Sequence, residues 1–246
     1  MTPGASLFNQ EIQVKHTLKG VMIAVLLIGI WGIVFFSALF GPRFGVHFWR
    51  SLATIPILSF LFTGLFITGH DAMHGSVAPC FPRLNRWIGR ISVSLYALFS
   101  YSKLKTQHHD HHRFSTGPKD PDYHEGSFWS WYLQFFKHYF GWVQFFAICL
   151  VAQVPIHGFG VSPLNIYFFW VVPSLMSSLQ LFYFGTYLPH RGDHDNVHQS
   201  RTQKRNHLLA FFSCYFFGYH YEHHDSPGTP WWLLWKTTPP NKGMRQ

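Results

Sequence analysis

Three tight groups of histidines set the chemistry open to this chain: His70 and His74, then His108, His109, His111 and His112, then His220, His223 and His224. On a helix, residues at i, i+3 and i+4 share one side. His108/His111/His112 and His220/His223/His224 are therefore each predicted to turn three imidazoles toward one point, and His70/His74 adds two more. His109 lies about 100° round the helix from His108 and is left out of the set. One zinc ion is saturated by about four ligands, so eight clustered imidazoles ask for two metal ions. His190, which closes a long apolar run, is a ninth candidate, ahead of its neighbours His194 and His198. His16, His47, His124, His138, His157 and His207 are read as solvated or hydrogen-bonded side chains.

Imidazole suits zinc, iron, copper and nickel, so the ligands alone do not choose the metal. The Glu-x-x-His pairs of soluble di-iron bundles are missing, because Glu11, Glu125 and Glu222 all lack a histidine three residues on. His124-Glu125 does not extend to His-Glu-x-x-His either. Two irons bound mainly by neutral histidines would form a cationic centre able to activate O2, with zinc hydrolysis as the alternative on chemistry alone. Ligating imidazoles usually donate their second N–H to a carboxylate or carbonyl. Asp71, Asp110, Glu222 and Asp225 are the candidates for that task, against a reading as solvated charges. Asp120-Pro121-Asp122 follows Gly117-Pro118 and is predicted to lie in a turn, either ordering a loop over the site or simply on the surface.

The elements that position these groups are apolar. Of 246 residues, 48% are hydrophobic and 12% charged, about half the charged share of a soluble domain. No repeat or linker divides residues 1–246, so a single domain is expected. Four runs, about 20–39, 51–69, 138–156 and 166–188, are long enough to cross a bilayer, which takes roughly 20 apolar residues. The first run lacks the short core and cleavage site of a removable signal and is read as a membrane helix. Shorter apolar stretches, Ile91 to Tyr101 and Leu208 to Tyr219, lead into the second and third groups and are expected at the interface or packed in protein. The predicted fold is an all-α integral membrane protein with four transmembrane helices plus interfacial helices, its histidines gathered at one membrane face.

Of 19 Lys and Arg, only Arg43 and Arg50 fall in the expected outer loops, leaving 17 on the histidine side. The positive-inside tendency then puts both termini and the metal site in the cytoplasm. The net charge of +9 follows from that topology and from contact with the anionic lipid bilayer; no basic helix or stacking module points to nucleic acid. Cys80, Cys149 and Cys214 have no metal-type spacing and are read as inert. The 27 Phe, 11 Tyr and 10 Trp suit a long apolar tunnel as well as membrane packing, and Trp231, Trp232 and Trp235 are expected to anchor the C-terminal segment at the interface. The tail Asn241 to Gln246 is expected to be disordered.

His-x-x-x-His, His-x-x-His-His and a late His-x-x-His-His on a four-span scaffold resemble the membrane fatty acid desaturase and hydroxylase superfamily. Gly69-His70-Asp71-Ala72-Met73-His74-Gly75, His108 to Arg113, Phe184 to Arg191, Tyr219 to His224 and Pro230-Trp231-Trp232 more closely resemble the bacterial and cyanobacterial β-carotene ketolases, over about residues 18–235. The resemblance implies a non-haem di-iron oxygenase with His70, His74, His108, His111, His112, His190, His220, His223 and His224 at the metal. It also implies O2 as oxidant, two electrons per oxidation from a donor such as ferredoxin, and β-carotene, with zeaxanthin as a further candidate substrate. Carbon 4 of the β-ionone ring would be hydroxylated twice, and the geminal diol would lose water to a ketone, giving echinenone and then canthaxanthin. A β-carotene ring hydroxylase and a fatty acyl desaturase or hydroxylase are the alternatives on the same scaffold. A non-catalytic metal transporter would want ionisable residues within the spans, which are nearly free of them.

Overall fold

A computed structural model of the chain describes residues 3–203 and 206–237, and all regular structure within them is helical. The expected disorder of Asn241 to Gln246 and the placement of the two chain ends lie outside the described residues. Helices α1 (Pro3–Leu39) and α2 (Phe48–Met73) form a hairpin. On α1, Leu18, Met22, Val25, Ile33 and Phe36 are exposed at helical spacing, while Trp31 and Phe35 are buried with edge contacts to Phe62 of α2. An exposed apolar stripe opposite a buried one fits a helix with lipid on one side and protein on the other. Asn165 ties off the far end of this hairpin: its amide donates to the Leu39 carbonyl at 3.1 Å and accepts from the Phe44 N–H at 2.7 Å.

From α2 the chain enters α3 (Pro82–Ala97), turns at Leu98 with φ 54°, and continues as α4 (Tyr101–Phe114). The stretch Ile91 to Tyr101 is thus the end of α3 and a tight turn. Helix α3 is amphipathic, burying Ile88, Gly89, Ser92, Val93 and Tyr96 while Leu84, Trp87 and Ile91 stay exposed.

The run expected as a span at 138–156 is broken. Helix α5 (Phe128–Tyr139) and helix α6 (Trp142–Gly158) meet at an angle of 74°. Phe140 and Gly141 take extended conformations, and the Gln144 side chain accepts from the Gly141 N–H at 3.1 Å, restarting the helix. Helix α6 alone reaches roughly 25 Å at 1.5 Å per residue. Helix α7 (Pro163–His190) is continuous and contains two wider π-helical turns, Tyr167–Val171 and Tyr183–Tyr187. Three helices are therefore long and apolar enough to cross a bilayer, Gln13–Leu39, Phe48–Met73 and Pro163–His190, and the bent α5–α6 pair makes up to four.

Helix α8 (His207–Cys214) ends in a left-handed Tyr215 and Phe216, so the stretch Leu208 to Tyr219 is a short helix and a turn leading into α9 (His220–Asp225). A final 3-10 turn covers Trp231–Lys236. Trp231 is buried among Phe211, Tyr215 and Phe216, and Trp232 is buried beside Trp231, which corrects the expectation that they serve as interface anchors; of the three only Trp235 is exposed. The apolar run around them packs on α2 and α8 because Asp71 of α2 accepts from the Trp231 N–H at 2.9 Å.

Candidate metal centre

Four elements converge below the hairpins. The last turn of α2 carries His70 and hands His74 to its C-cap; α4 carries His108, His111 and His112; α7 ends on His190; α9 carries His220, His223 and His224. Helices α2, α3 and α4 are held in register through one carbonyl, that of Ala72, which accepts from Asn85 Nδ2 at 2.7 Å and from the Tyr101 hydroxyl at 2.7 Å.

The imidazoles form two groups whose ligand atoms lie within 4.8 Å of one another: His70, His74, His108 and His223, and His111, His190, His220 and His224. This differs from the prediction that each helical triplet aims at one point. His108 and His111 are three residues apart yet serve different groups, and His223 is likewise separated from His220 and His224. The rings fan out because successive helical residues at i and i+3 diverge by about 60°, enough to reach neighbouring centres. His112 stands between the groups, its Nε2 2.9 Å from that of His223 and its ring stacked 4.2 Å from that of His224.

Within the groups Nε2 faces Nε2: His70 to His223 at 3.1 Å, His74 to His108 at 2.7 Å, His190 to His220 at 2.8 Å and His220 to His224 at 3.0 Å. Two such nitrogens can share only one proton, whereas a cation accepts both lone pairs. With metal–nitrogen bonds of roughly 2.1 Å, neighbouring ligands sit about 3.0 Å apart on an octahedral ion and about 3.4 Å apart on a tetrahedral one, so the spacing is that of rings able to share a cation in each group.

The outward nitrogens are partly spoken for. His70 Nδ1 lies 3.1 Å from Asp71 Oδ1, His111 Nδ1 2.9 Å from Asp120 Oδ1, and His190 Nδ1 2.8 Å from the Gln199 carbonyl. Each is placed to donate its Nδ1–H outward, which leaves the Nε2 lone pair free to bind a metal. Asp120 also accepts from the Thr116 N–H at 2.8 Å, and Asp122 accepts from the Tyr139 hydroxyl while its carbonyl accepts from Trp131 Nε1 at 2.6 Å. The turn at 117–122 is thus a strap over His111, latched to α5. Asp120 is the carboxylate partner that reading the acids beside the boxes missed, and the Gly117-Pro118 turn was its signal.

Of the acids named from sequence, Asp71 meets its histidine. Asp110 is half-buried and makes no hydrogen bond to a boxed histidine among the described residues, Glu222 accepts from the Thr202 hydroxyl, and exposed Asp225 pairs with His198 at 3.5 Å. His109 is exposed, with Nδ1 3.3 Å from the Lys105 carbonyl. His194 and His198 join neither group.

Burial pushes His74 down to about 3 and, with the neighbouring imidazoles, holds His108, His112, His220, His223 and His224 well below the ordinary histidine range. Burial opposes charge at His111 too, but the Asp120 and Asp122 carboxylates outweigh it and raise this ring. Neutral, lone-pair-bearing rings are the form a metal needs.

A cavity of about 390 Å³ opens on both groups, with His70 and His108 of one and His111 and His220 of the other in its wall. The rest of its lining is overwhelmingly apolar and comes mostly from α2 through α7, including Phe66, Tyr96, Phe135, Phe145, Trp170 and Leu181, with Phe217 from the turn after α8. The α5–α6 bend forms one side, with Tyr139, Phe140 and Cys149 facing inward.

Known proteins resemble this chain in sequence. The fatty acid desaturase family profile covers residues 47–161 and 137–244. A β-carotene ketolase of Paracoccus sp. strain N81106 is 37% identical over 223 residues, covering 89% of this chain and 91% of the relative. A second, from Paracoccus sp. strain PC1, is 42% identical over 185 residues, covering 73% and 76%. A zeaxanthin 4-ketolase of Chlamydomonas reinhardtii is 36% identical over 237 residues, covering 89% of this chain and 53% of that longer protein. With two four-histidine groups opening on an apolar cavity and these relatives spanning most of its length, the chain belongs to the fatty acid desaturase family, in the branch of the β-carotene ketolases.

Proposed function

We propose that the protein is a carotenoid ketolase that oxidises carbon 4 of the β-ionone ring of β-carotene, and of zeaxanthin where it is present, at a di-iron centre. The observation that carries the reading is the single cavity that is apolar along its walls and histidine-lined at both metal groups. His70, His74, His108 and His223 would hold one iron and His111, His190, His220 and His224 the other, with His112 between them. Iron bound there would supply O2 activation and two-electron oxidation of a C–H bond.

The chain's own residues do the rest. Phe66, Tyr96 and Trp170 exclude water and leave a hydrocarbon ring few polar alternatives. Asp71, Asp120 and the Gln199 carbonyl hold three ligand rings in one tautomer and orientation. The wall must fix ring depth through both rounds, since a misplacement of about 1 Å costs on the order of 10²-fold in rate. Each round consumes O2, two electrons and two protons, inserts one oxygen into C–H and releases water; after the second, the geminal diol loses water to give the ketone. The electrons come from a small carrier protein of the ferredoxin class. The chain crosses the bilayer four times, counting α5–α6 as one bent span, with the metal centre and both termini on the cytoplasmic side. The positive-inside distribution of Lys and Arg supports that orientation.

The test is expression in cells that accumulate β-carotene, with extracted pigments analysed by chromatography and mass spectrometry. Echinenone followed by canthaxanthin is expected, with 4-hydroxy carotenoid only as a minor intermediate. Zeaxanthin as the main product would reassign the enzyme to ring carbon 3, and unchanged carotene beside newly desaturated lipid would reassign it to acyl chains.

A further inference from the structure

The two metal groups are not equally enclosed. All four rings of His111, His190, His220 and His224 are buried, whereas His74 and His108 of the other group are only half-buried. His74, which is absent from the wall of the apolar cavity, lines a second, open groove. Arg86 and Arg90 of α3 and Lys105 of α4 flank it, all three exposed and none in an ion pair among the described residues; Asp110 is the acid in its lining. At 100° per residue, Arg86 and Arg90 lie roughly 110° round α3 from the exposed apolar stripe of Leu84, Trp87 and Ile91. The Arg90 guanidinium lies over the Trp87 ring at 5.2 Å, at the border between the stripe and the groove, and Arg86 lies farther round the helix on the groove side.

Resting on the di-iron reading above, we propose that this basic groove is the docking site of the electron donor, a small acidic protein carrying a one-electron redox centre, and that electrons enter through the His70, His74, His108 and His223 group. Each C–H oxidation needs two electrons, so two reduced donors are each oxidised by one electron per round. Among the described residues the His111 group is the more enclosed of the two, with all four rings buried and the strap over His111. Opposite charge on the donor would raise its encounter rate with the groove and make the reaction fall with ionic strength. His109, exposed beside His74 with ring centroids 5.5 Å apart, belongs to this surface and not to the metal shell.

The test uses the full chain in phosphatidylcholine nanodiscs and a small acidic [2Fe–2S] ferredoxin as probe. Two readouts are taken: ferredoxin affinity for the metal-free protein, and the anaerobic rate at which the iron-loaded protein oxidises reduced ferredoxin, with dithionite as the small-molecule control. In Arg86→Glu/Arg90→Glu/Lys105→Glu, both ferredoxin readouts should fall by roughly tenfold or more and lose their salt dependence, while dithionite reduction stays unchanged. Unchanged ferredoxin readouts would overturn the proposal, as would wild-type protein that dithionite reduces and ferredoxin does not. Failure of dithionite to reduce the wild type would instead sink the di-iron reading beneath it. If the triple variant loses its iron, Arg86→Gln/Arg90→Gln decides: a partial, ferredoxin-specific loss supports docking, and no loss overturns it. Weaker binding to phosphatidylglycerol vesicles with unaltered ferredoxin kinetics would assign the groove to lipid headgroups and overturn it too.

Discussion

At the residue scale the site separates histidines that aim at a metal from those that merely neighbour it, and each kind makes a different prediction. His111 donates to Asp120, which the Thr116 N–H anchors in turn. Asp120→Asn should keep the hydrogen bond but lose the charge that orients and strengthens the ligand. Partners of this kind are worth about 10- to 100-fold in metal affinity. Chelator titration of the purified protein should show one of two ions released that much more readily, whereas His109→Ala, on the exposed side of α4, should release neither. Equal losses in the two variants would mean that α4 does not present its histidines as found. The histidines themselves were legible because spacing repeats in sequence. Asp120 was harder to see, since its partner lies nine positions upstream across a turn and no local pattern joins them. Even for the histidines, spacing assigned a shared face but not the division into two groups, which depends on how four separate elements meet.

At the scale of elements, the close approach of α2, α3 and α4 sets the distance between the first two histidine groups. Gly89 sits at that junction, where an added Cβ would overlap the Tyr101 ring and the Ala72 side chain. Tyr101 is also the residue whose hydroxyl donates to the Ala72 carbonyl, so pushing it away loosens α4 from α2. Gly89→Leu should therefore lower bound metal to less than half while the protein still partitions into membranes, because the apolar spans govern insertion. Wild-type metal content in Gly89→Leu, measured on detergent-purified protein, would show that the junction tolerates the shift. Hydropathy was enough to find α1, α2 and α7; the ends of α2 and α7 fall within a few residues of the runs read from sequence, whereas α1 begins well before residue 20, in a stretch that carries Glu11, Lys15 and Lys19. The break at Phe140 and Gly141 escaped it, because the residues on both sides are equally apolar and only the Gln144 cap and the packing of α5 on the strap distinguish them.

At the scale of the whole molecule, a membrane protein carries at one end a set of buried imidazoles kept neutral, mainly by burial. In the unfolded chain these rings take up protons below about pH 6.5. In the folded, metal-free protein they stay neutral well below that, with His74 held down to about 3. The unfolded state then binds more protons, so stability is lost as pH falls from about 6.5 toward 3. The melting temperature of the metal-free protein in detergent should drop between pH 7.5 and pH 5, and a flat profile would mean the rings are solvated. The membrane class and the gathering of the boxed histidines into one cluster could be read from composition and spacing. The apolar cavity beside the site could not, because its wall is assembled from residues of seven helices that are far apart in the chain. The measurement that bears most directly on the two-group centre is the metal content of protein produced in iron-replete cells. We expect two irons per chain, with activity proportional to their occupancy; a single ion per chain, or full activity with zinc in place of iron, would contradict it.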